Sequence, residues 1–339
     1  MSDKFVICTD SHLANQPPAN RIDNYNESII DKWEWVRDYC IKNKIDKIIC
    51  PGDLCHTHRT NDELIYKFVS LFADSGINIY YLLGNHDIQG ANTSFIYKTN
   101  MGLLAKYSWF HLLDCKDLYS FDTCYLTGIN YSVEKETANA FHWWEGQRVK
   151  LDTPPELKAP VILVTHAMIT NETMMIKGEA KSVSVHDVDT NADVLINGHY
   201  HIGHQKAVKR TTLEHDFMVI NPGSMARMNL AEAEESYGPR IAVLTMRVGH
   251  NARYKFIDIP CKPIKEVFNR HKIHTKKSVK VDKDKFINSV RAMSQQNIMG
   301  DNFEQALRDI ITNPPKKIRK LIKPSVRKIL KKKLEEHCG

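Results

Sequence analysis

The chain has 339 residues, 42% of them apolar, a net charge of +7, and eight cysteines with no CxxC pair. No stretch approaches the roughly 20 apolar residues that a membrane span needs, and a disulfide-stapled mini-domain does not reach this length. Charge is unevenly placed: from Cys261 onward, 21 basic residues face 8 acidic ones, a net +13 on a mildly acidic body, which suits a polyanionic partner such as nucleic acid or else a solvated tail.

The N-terminus, MSDKFVICTD, enters an apolar strand at once, with no basic start and no small-residue cleavage site, so no signal peptide is expected. Several cysteines sit in strand-like apolar runs, where a free thiol behaves as a small hydrophobe, and a reduced, cytoplasmic protein is expected. Phe5 to Cys8 is a strand-length apolar run followed by Thr9-Asp10-Ser11-His12. Ile29, Ile30, Trp33, Val36 and Cys40 recur at near-helical spacing. Ile48 to Cys50 leads into Pro51-Gly52-Asp53, and Leu64, Phe68, Leu71 and Phe72 predict a second helix. Ile79 to Leu83 leads into Gly84-Asn85-His86-Asp87, Val161 to Val164 into Thr165-His166, and Val194 to Ile196 into Asn197-Gly198-His199-Tyr200-His201. Strand, polar loop, helix, strand is the order of an α/β fold, in which functional groups gather beyond the strands' carboxyl ends.

Asp10, His12, Asp53, Asn85, His166, His199 and His201 form a candidate ligand set without cysteine. Carboxylate, amide and imidazole suit Mn, Fe or Zn. Seven ligands are too many for one ion and enough for two if a carboxylate bridges. Asp53 is the natural bridge, because Asp10 and His12 share one loop. Paired ions are the usual device for hydrolysing phosphate esters. Gly52, Gly84 and Gly198 precede ligands where a Cβ would hinder a tight turn or an approaching phosphate. His199 and His201, two apart, are expected to share a face and reach adjacent ions.

After Pro260 the composition changes, and three regions are expected: a body over 1–260, a stretch with few apolar residues over 261–300, and a basic helical tail over 301–339. Phe303, Ala306, Leu307, Ile310 and Ile311 form one apolar stripe, and Val326, Ile329, Leu330 and Leu334 another. Ten basic residues and no acidic one lie between Lys316 and Lys333. Such helices fold back on the body, lie on a membrane surface, or bind a partner.

The motifs at 10–12, 52–53, 84–87, 166 and 198–201 resemble the calcineurin-like metallophosphoesterases. GDLCHTHR at 52–59 and NPGSMAR at 221–227 are similar to the SbcD-type repair nucleases. The resemblance covers roughly residues 4–260, and it implies that 261–300 is a small, abbreviated capping region that helps seat DNA. It implies a two-layer β-sandwich flanked by helices, with one ion held by Asp10, His12, Asp53 and His201 and another by Asp53, Asn85, His166 and His199. It further implies Mn²⁺ as the ion, with Mg²⁺, Fe²⁺ or Zn²⁺ as alternatives, and a metal-activated hydroxide attacking phosphorus in line. His86 would then face the phosphate as charge stabiliser or proton donor, and Asp87 would support a histidine from behind. His56 either lines the site or only begins the following helix. Arg59 holds a phosphate, orients a loop, or does no more than begin that helix. His58, His142, His186 and His204 have no place in the pattern and read as surface or structural groups.

The implied function is a DNA nuclease subunit, a double-strand 3′–5′ exonuclease and single-strand endonuclease in end processing, repair and recombination. Its implied partners are DNA and an SMC-like, SbcC-type ATPase gripped by residues 301–336, with a homodimer inside a heterotetramer and no membrane. The alternative is a phosphatase or cyclic-nucleotide phosphodiesterase on the same fold. Ala14, where the family often has Gly, and Cys55, where Phe is common, depart from the pattern beside ligands.

Overall fold

The computed structural model describes residues 1–89, 93–142, 159–174, 182–211 and 216–269. The chain divides into two compact units, Met1–Lys272 and Ile273–Gly339, and the second lies outside the described residues, as do the expectations for the tail.

Each apolar run of the sequence forms a strand. β1 (Ser2–Ile7), β2 (Lys47–Cys50), β3 (Asn78–Tyr81) and β4 (Phe110–Leu112) run parallel. β5 (Tyr119–Ser120) and β6 (Tyr125–Ile129) start a second sheet. Two short parallel pairs cover its far side: β7 (Ala140–Phe141) with β11 (Asp189–Thr190), and β9 (Ile169–Thr170) with β10 (Val183–Ser184). β8 (Val161–Thr165), β12 (Val194–Asn197), β13 (Val208–Thr211) and β14 (Asp216–Ile220) complete the second sheet, and β15 (Arg240–Arg247) and β16 (His250–Asp258) return antiparallel to the first. The strand orders are β16-β15-β1-β2-β3-β4 and β13-β14-β12-β8-β6-β5.

The expected sandwich is borne out, and strand alternation explains its layers. Phe5 and Ile7 of β1, Ile49 of β2, and Ile162, Val164, Val194 and Ile196 of the other sheet fill the space between the sheets. Val6, Cys8, Ile48, Cys50, Ile79 and Tyr81 point the other way, onto two helices. These are α1 (Tyr25–Asn43), which buries Ile29, Trp33, Val36 and Cys40, and α2 (Asp62–Phe72), which buries Phe68 and Phe72. Asn24 and Asn61 cap their N-termini by accepting from the amides of Glu27 and Glu63. Trp33 meets Phe68 edge-on at 5.2 Å. α3 (Asn100–Leu104), α4 (Leu230–Glu235) and α5 (Ile264–Val267) are short.

Residues 261–269 belong with the body. Val267 and Phe268 are buried, Ile22 N–H donates to the Val267 carbonyl at 3.0 Å, and the Arg21 guanidinium covers the Phe268 ring. Packing onto the body thus continues past the compositional break at Pro260. Among the described residues seven cysteines are free thiols, and no helix is long and apolar enough to cross a membrane.

Candidate metal centre

β1, β2, β3, β8 and β12 are parallel within their sheets, and the loops beyond their carboxyl ends converge. Two side-chain groups meet there. In the first, His12 Nε2 lies 3.1 Å from His201 Nε2, and Asp10 Oδ1 lies 3.6 Å from His201 Nε2 and 4.0 Å from His12 Nε2. In the second, His166 Nε2 lies 3.0 Å from Asn85 Oδ1 and 3.4 Å from Asp53 Oδ2. His199 joins Asp53 and His166, with ligand atoms all within 4.8 Å of one another. Asp53 Oδ2 stands between the groups, 3.7 Å from His12 Nε2. All seven predicted ligands are therefore in one place, with Asp53 central.

The backbone is bent to bring them there. Asp10, His12, Asp53 and His199 have φ of 53°, 48°, 53° and 71°, the left-handed region that non-glycine residues rarely adopt and that costs about 1–3 kcal/mol each. Surrounding bonds hold these conformations. Asp10 N–H donates to the Gly52 carbonyl and His12 N–H to the Asp53 carbonyl, at 3.2 and 3.0 Å. His199 N–H faces the Asp10 carboxylate at 3.3 Å. The NPGSMAR segment clamps the same loops: Ser224 Oγ donates to the Asp10 carbonyl at 2.7 Å, and Ser224 N–H to the His201 carbonyl at 2.9 Å. The expected alternation of His199 and His201 does not apply. β12 ends at Asn197 and the left-handed turn at His199 breaks the two-residue period, so the turn, and no shared strand face, sends the two rings to different groups.

Glycine is required where loops touch. A Cβ on Gly84 would fall onto Asp53 Oδ1 and stand 2.6 Å from the Asp53 amide nitrogen. Gly52, at φ +106°, faces His166 Nδ1 in the same way.

The electrostatics favour cations. Asp53 Oδ2 is buried and has no hydrogen-bond partner, although a buried unpaired carboxylate oxygen is costly. Burial pushes the Asp53 carboxyl up, but His166, His12 and His86 outweigh it and hold Asp53 well below the usual carboxylate range. Burial pulls His12 well down, against the Asp53 charge, which keeps a neutral imidazole fit for a metal. Burial also lowers His166, yet Asp53 overrides it and raises that ring to about 9. An orphaned carboxylate oxygen, flanked by two imidazoles and set in an N/O donor set, fits divalent cations.

The remaining site residues divide. His86 N–H donates to Asp53 Oδ1 at 3.0 Å, and its ring Nδ1 donates to the His56 carbonyl at 2.7 Å. His56 stacks on His86 at 4.9 Å, and its Nδ1 is 3.4 Å from His12 Nδ1. His56, His86 and His12 thus form an imidazole wall beside the carboxylates. Asp87 supports no histidine, contrary to expectation. It is fully buried behind the loops, accepting from the amides of Asp53, Gly84 and Cys55 and from the Tyr81 hydroxyl, because a carboxylate there satisfies turn amides that nothing else reaches. Arg59 is exposed, and its Nε donates to the Lys98 carbonyl, tying neighbouring loops together. His204 is buried, and His142 pairs with Asp189 on the surface.

Two groups escaped the sequence reading. Glu136 lies 3.3 Å from His199 Nε2, and Glu232 lies 3.0 Å from His201 Nδ1. Glu232 follows Asn229 by three positions, a spacing that reads as a helix cap. Glu136 sits in a loop with no pattern.

A family model described as calcineurin-like phosphoesterase matches residues 3–203. Among solved structures, a dimetal phosphatase from Danio rerio is similar at 9% identity and a TM-score of 0.44, over 76% of this chain and 99% of that one. The calcineurin-like phosphoesterase YfkN of Bacillus subtilis is similar at 12% identity and a TM-score of 0.42, over 76% and 91%. A protein from Thermus thermophilus is similar at 10% identity and a TM-score of 0.43, over 77% and 100%. No curated protein sequence matches.

Proposed function

The chain belongs to the calcineurin-like phosphoesterase family, and from that premise we propose that it is a two-metal DNA nuclease of the SbcD type. Membership makes it a metal-dependent phosphoester hydrolase. The observation that carries the two-metal reading is Asp53 Oδ2, buried without a hydrogen-bond partner between His12 and His166. Asp10, His12, Asp53 and His201 would hold one ion, and Asp53, Asn85, His166 and His199 the other. When bound, two divalent ions supply Lewis acidity toward a phosphate and a nucleophile from water at neutral pH.

The chain's own groups do the rest. His86 is anchored through Nδ1 by the His56 carbonyl, which leaves Nε2 to carry a proton to the leaving oxygen. His56, stacked on that ring, restricts its rotation. Asp10 and Asp53 are buried in the floor of the site, which strengthens their attraction for cations.

DNA as substrate rests on sequence: the GDLCHTHR and NPGSMAR segments and the +13 charge beyond Cys261. Manganese, 3′–5′ polarity, a cytoplasmic location, and assembly with an SbcC-type ATPase through residues 301–336, as a homodimer within a heterotetramer, are parts of the same proposal.

End-labelled linear DNA with Mn²⁺, Mg²⁺ or EDTA, for wild type and His86→Ala, tests it. The expected result is Mn²⁺-dependent degradation that falls about 10²–10⁴-fold in the variant while bound metal is retained. Intact DNA, with both proteins hydrolysing a small aryl phosphate diester, would refute the nuclease reading and the role of His86.

A further inference from the structure

Glu232 and Glu136 each meet one histidine of the Gly198–His201 turn, and they use opposite ring nitrogens. Glu232 Oε2, on α4, is 3.0 Å from Nδ1 of His201. Glu136 Oε1, in the loop after β6, is 3.3 Å from Nε2 of His199. We propose that these glutamates are positioning residues for two separate metal positions, Glu232 acting through His201 and Glu136 through His199. The proposal rests on the two-metal reading above.

A carboxylate only accepts hydrogen bonds, so each glutamate fixes a proton on the nitrogen facing it. The other nitrogen keeps its lone pair. In His201 that is Nε2, which already lies 3.1 Å from His12 Nε2 and 3.6 Å from Asp10 Oδ1. In His199 it is Nδ1. The two neighbouring histidines are thereby set as opposite tautomers. A carboxylate behind a ligating imidazole also makes it a stronger donor.

Both glutamates are held before any ion arrives. The Asn229 side chain accepts from the Glu232 amide at 2.9 Å, which fixes the first turn of α4. Glu136 Oε2 accepts from the Tyr131 hydroxyl at 3.2 Å, and the Glu136 carbonyl accepts from the Met168 amide at 2.8 Å. Met168 lies two residues beyond His166, so the Glu136 loop is tied to the strand end carrying that ligand. Tyr131 completes the wall, with its ring 6.1 Å from both His166 and His199. The side chains of Glu136 and Glu232 are 30% and 39% exposed, so truncating them leaves the core intact.

The test is calorimetric titration of the full chain with Mn²⁺ alone, with bound manganese counted by elemental analysis. The proteins are wild type, Glu136→Ala, Glu232→Ala, the double variant, and Glu136→Gln and Glu232→Gln. Wild type is expected to bind two ions. Each alanine variant should weaken one binding event about 10–100-fold and leave the other within about threefold, and the double variant should weaken both. Each glutamine variant, which keeps the acceptor without the charge, should fall between. Thermal unfolding in EDTA should be unchanged in all of them, which separates positioning from fold damage. Wild-type affinity at both positions in both alanine variants overturns the proposal. So does equal weakening of both events by each glutamate, which marks a general charge effect. A wild-type chain that binds no manganese refutes the two-metal reading itself.

Discussion

Asp87→Asn isolates what the buried carboxylate behind the site does. Asp87 Oδ2 accepts from the Tyr81 hydroxyl at 2.5 Å, the Asp53 amide at 2.8 Å and the Gly84 amide at 2.9 Å, and Oδ1 accepts from the Cys55 amide at 3.3 Å. Asparagine can turn its oxygen toward the first three donors. Its amide group then faces the Cys55 N–H, donor against donor. Bonds to a charged acceptor contribute about 1.5–3 kcal/mol and neutral ones about 1, so three conversions cost about 3 kcal/mol and the stranded amide about 1–3 more. One effect opposes this. Burial pushes the Asp87 carboxyl up to about 7, and the Asp53 charge adds to it, so removing the charge relieves a repulsion. The net expectation in EDTA is a loss of about 3 kcal/mol, growing in Mn²⁺, where cations offset the Asp53 charge and that part of the relief disappears. Urea unfolding of both proteins in EDTA and in Mn²⁺ measures it. A difference below about 0.5 kcal/mol in both conditions would show that Asp87 does not hold these loops. Unchanged stability with abolished cleavage would give Asp87 a part in the reaction in place of a role in holding the loops.

Three other outcomes are expected. His166 is raised to about 9, chiefly because Asp53 overrides the effect of burial, so a metal must displace a proton below that pH. Affinity at the Asn85–His166 position should rise as pH climbs from 6 toward 9, with proton release seen as buffer-dependent calorimetric heat; a pH-independent affinity refutes this. Burial lowers His204 to about 4, below the free imidazole value, so its stabilising contribution is full above about 6.5 and fades as pH falls toward 4, by at most about 1.4 kcal/mol per pH unit. His204→Met should flatten the acid side of the stability profile measured in EDTA; an unchanged slope between pH 6.5 and 4 counts against it. Deleting residues 301–339 should abolish capture of an SbcC-type ATPase while leaving Mn²⁺ binding intact, and undiminished capture by the truncated chain would end that part of the proposal.

The sequence exposed those parts of the site that local rules specify. Buried parallel strands are apolar on both faces, so five of them stand out as runs, and the polar residue ending each run is conspicuous by contrast. That is why Asp10, Asp53, Asn85, His166 and His199 could be read as one cluster before any coordinates. Strands β13 to β16 went unnamed; the last of them, β16, is half solvated and carries the alternation Ala252, Tyr254, Phe256 instead of a run. The left-handed backbone at four ligands was also illegible. Aspartate tolerates that region locally, but His12 and His199 occupy it only because loops from other strands hold them there, and no neighbour in sequence announces that.

The glutamates show a deeper limit. Glu136 reaches His199 across 63 residues, and Glu232 reaches His201 across 31. At Glu232 a local rule accounts for the residue on its own, since an Asn followed three residues later by Glu reads as a helix cap. The structure shows the cap and the histidine contact together: the Glu232 amide serves the helix while its carboxylate serves His201. Periodicity finds the residues that a strand or helix positions, and it finds the ligands because strand ends position them. Groups that orient those ligands come from whichever loop the fold brings alongside, so only the assembled backbone reveals them.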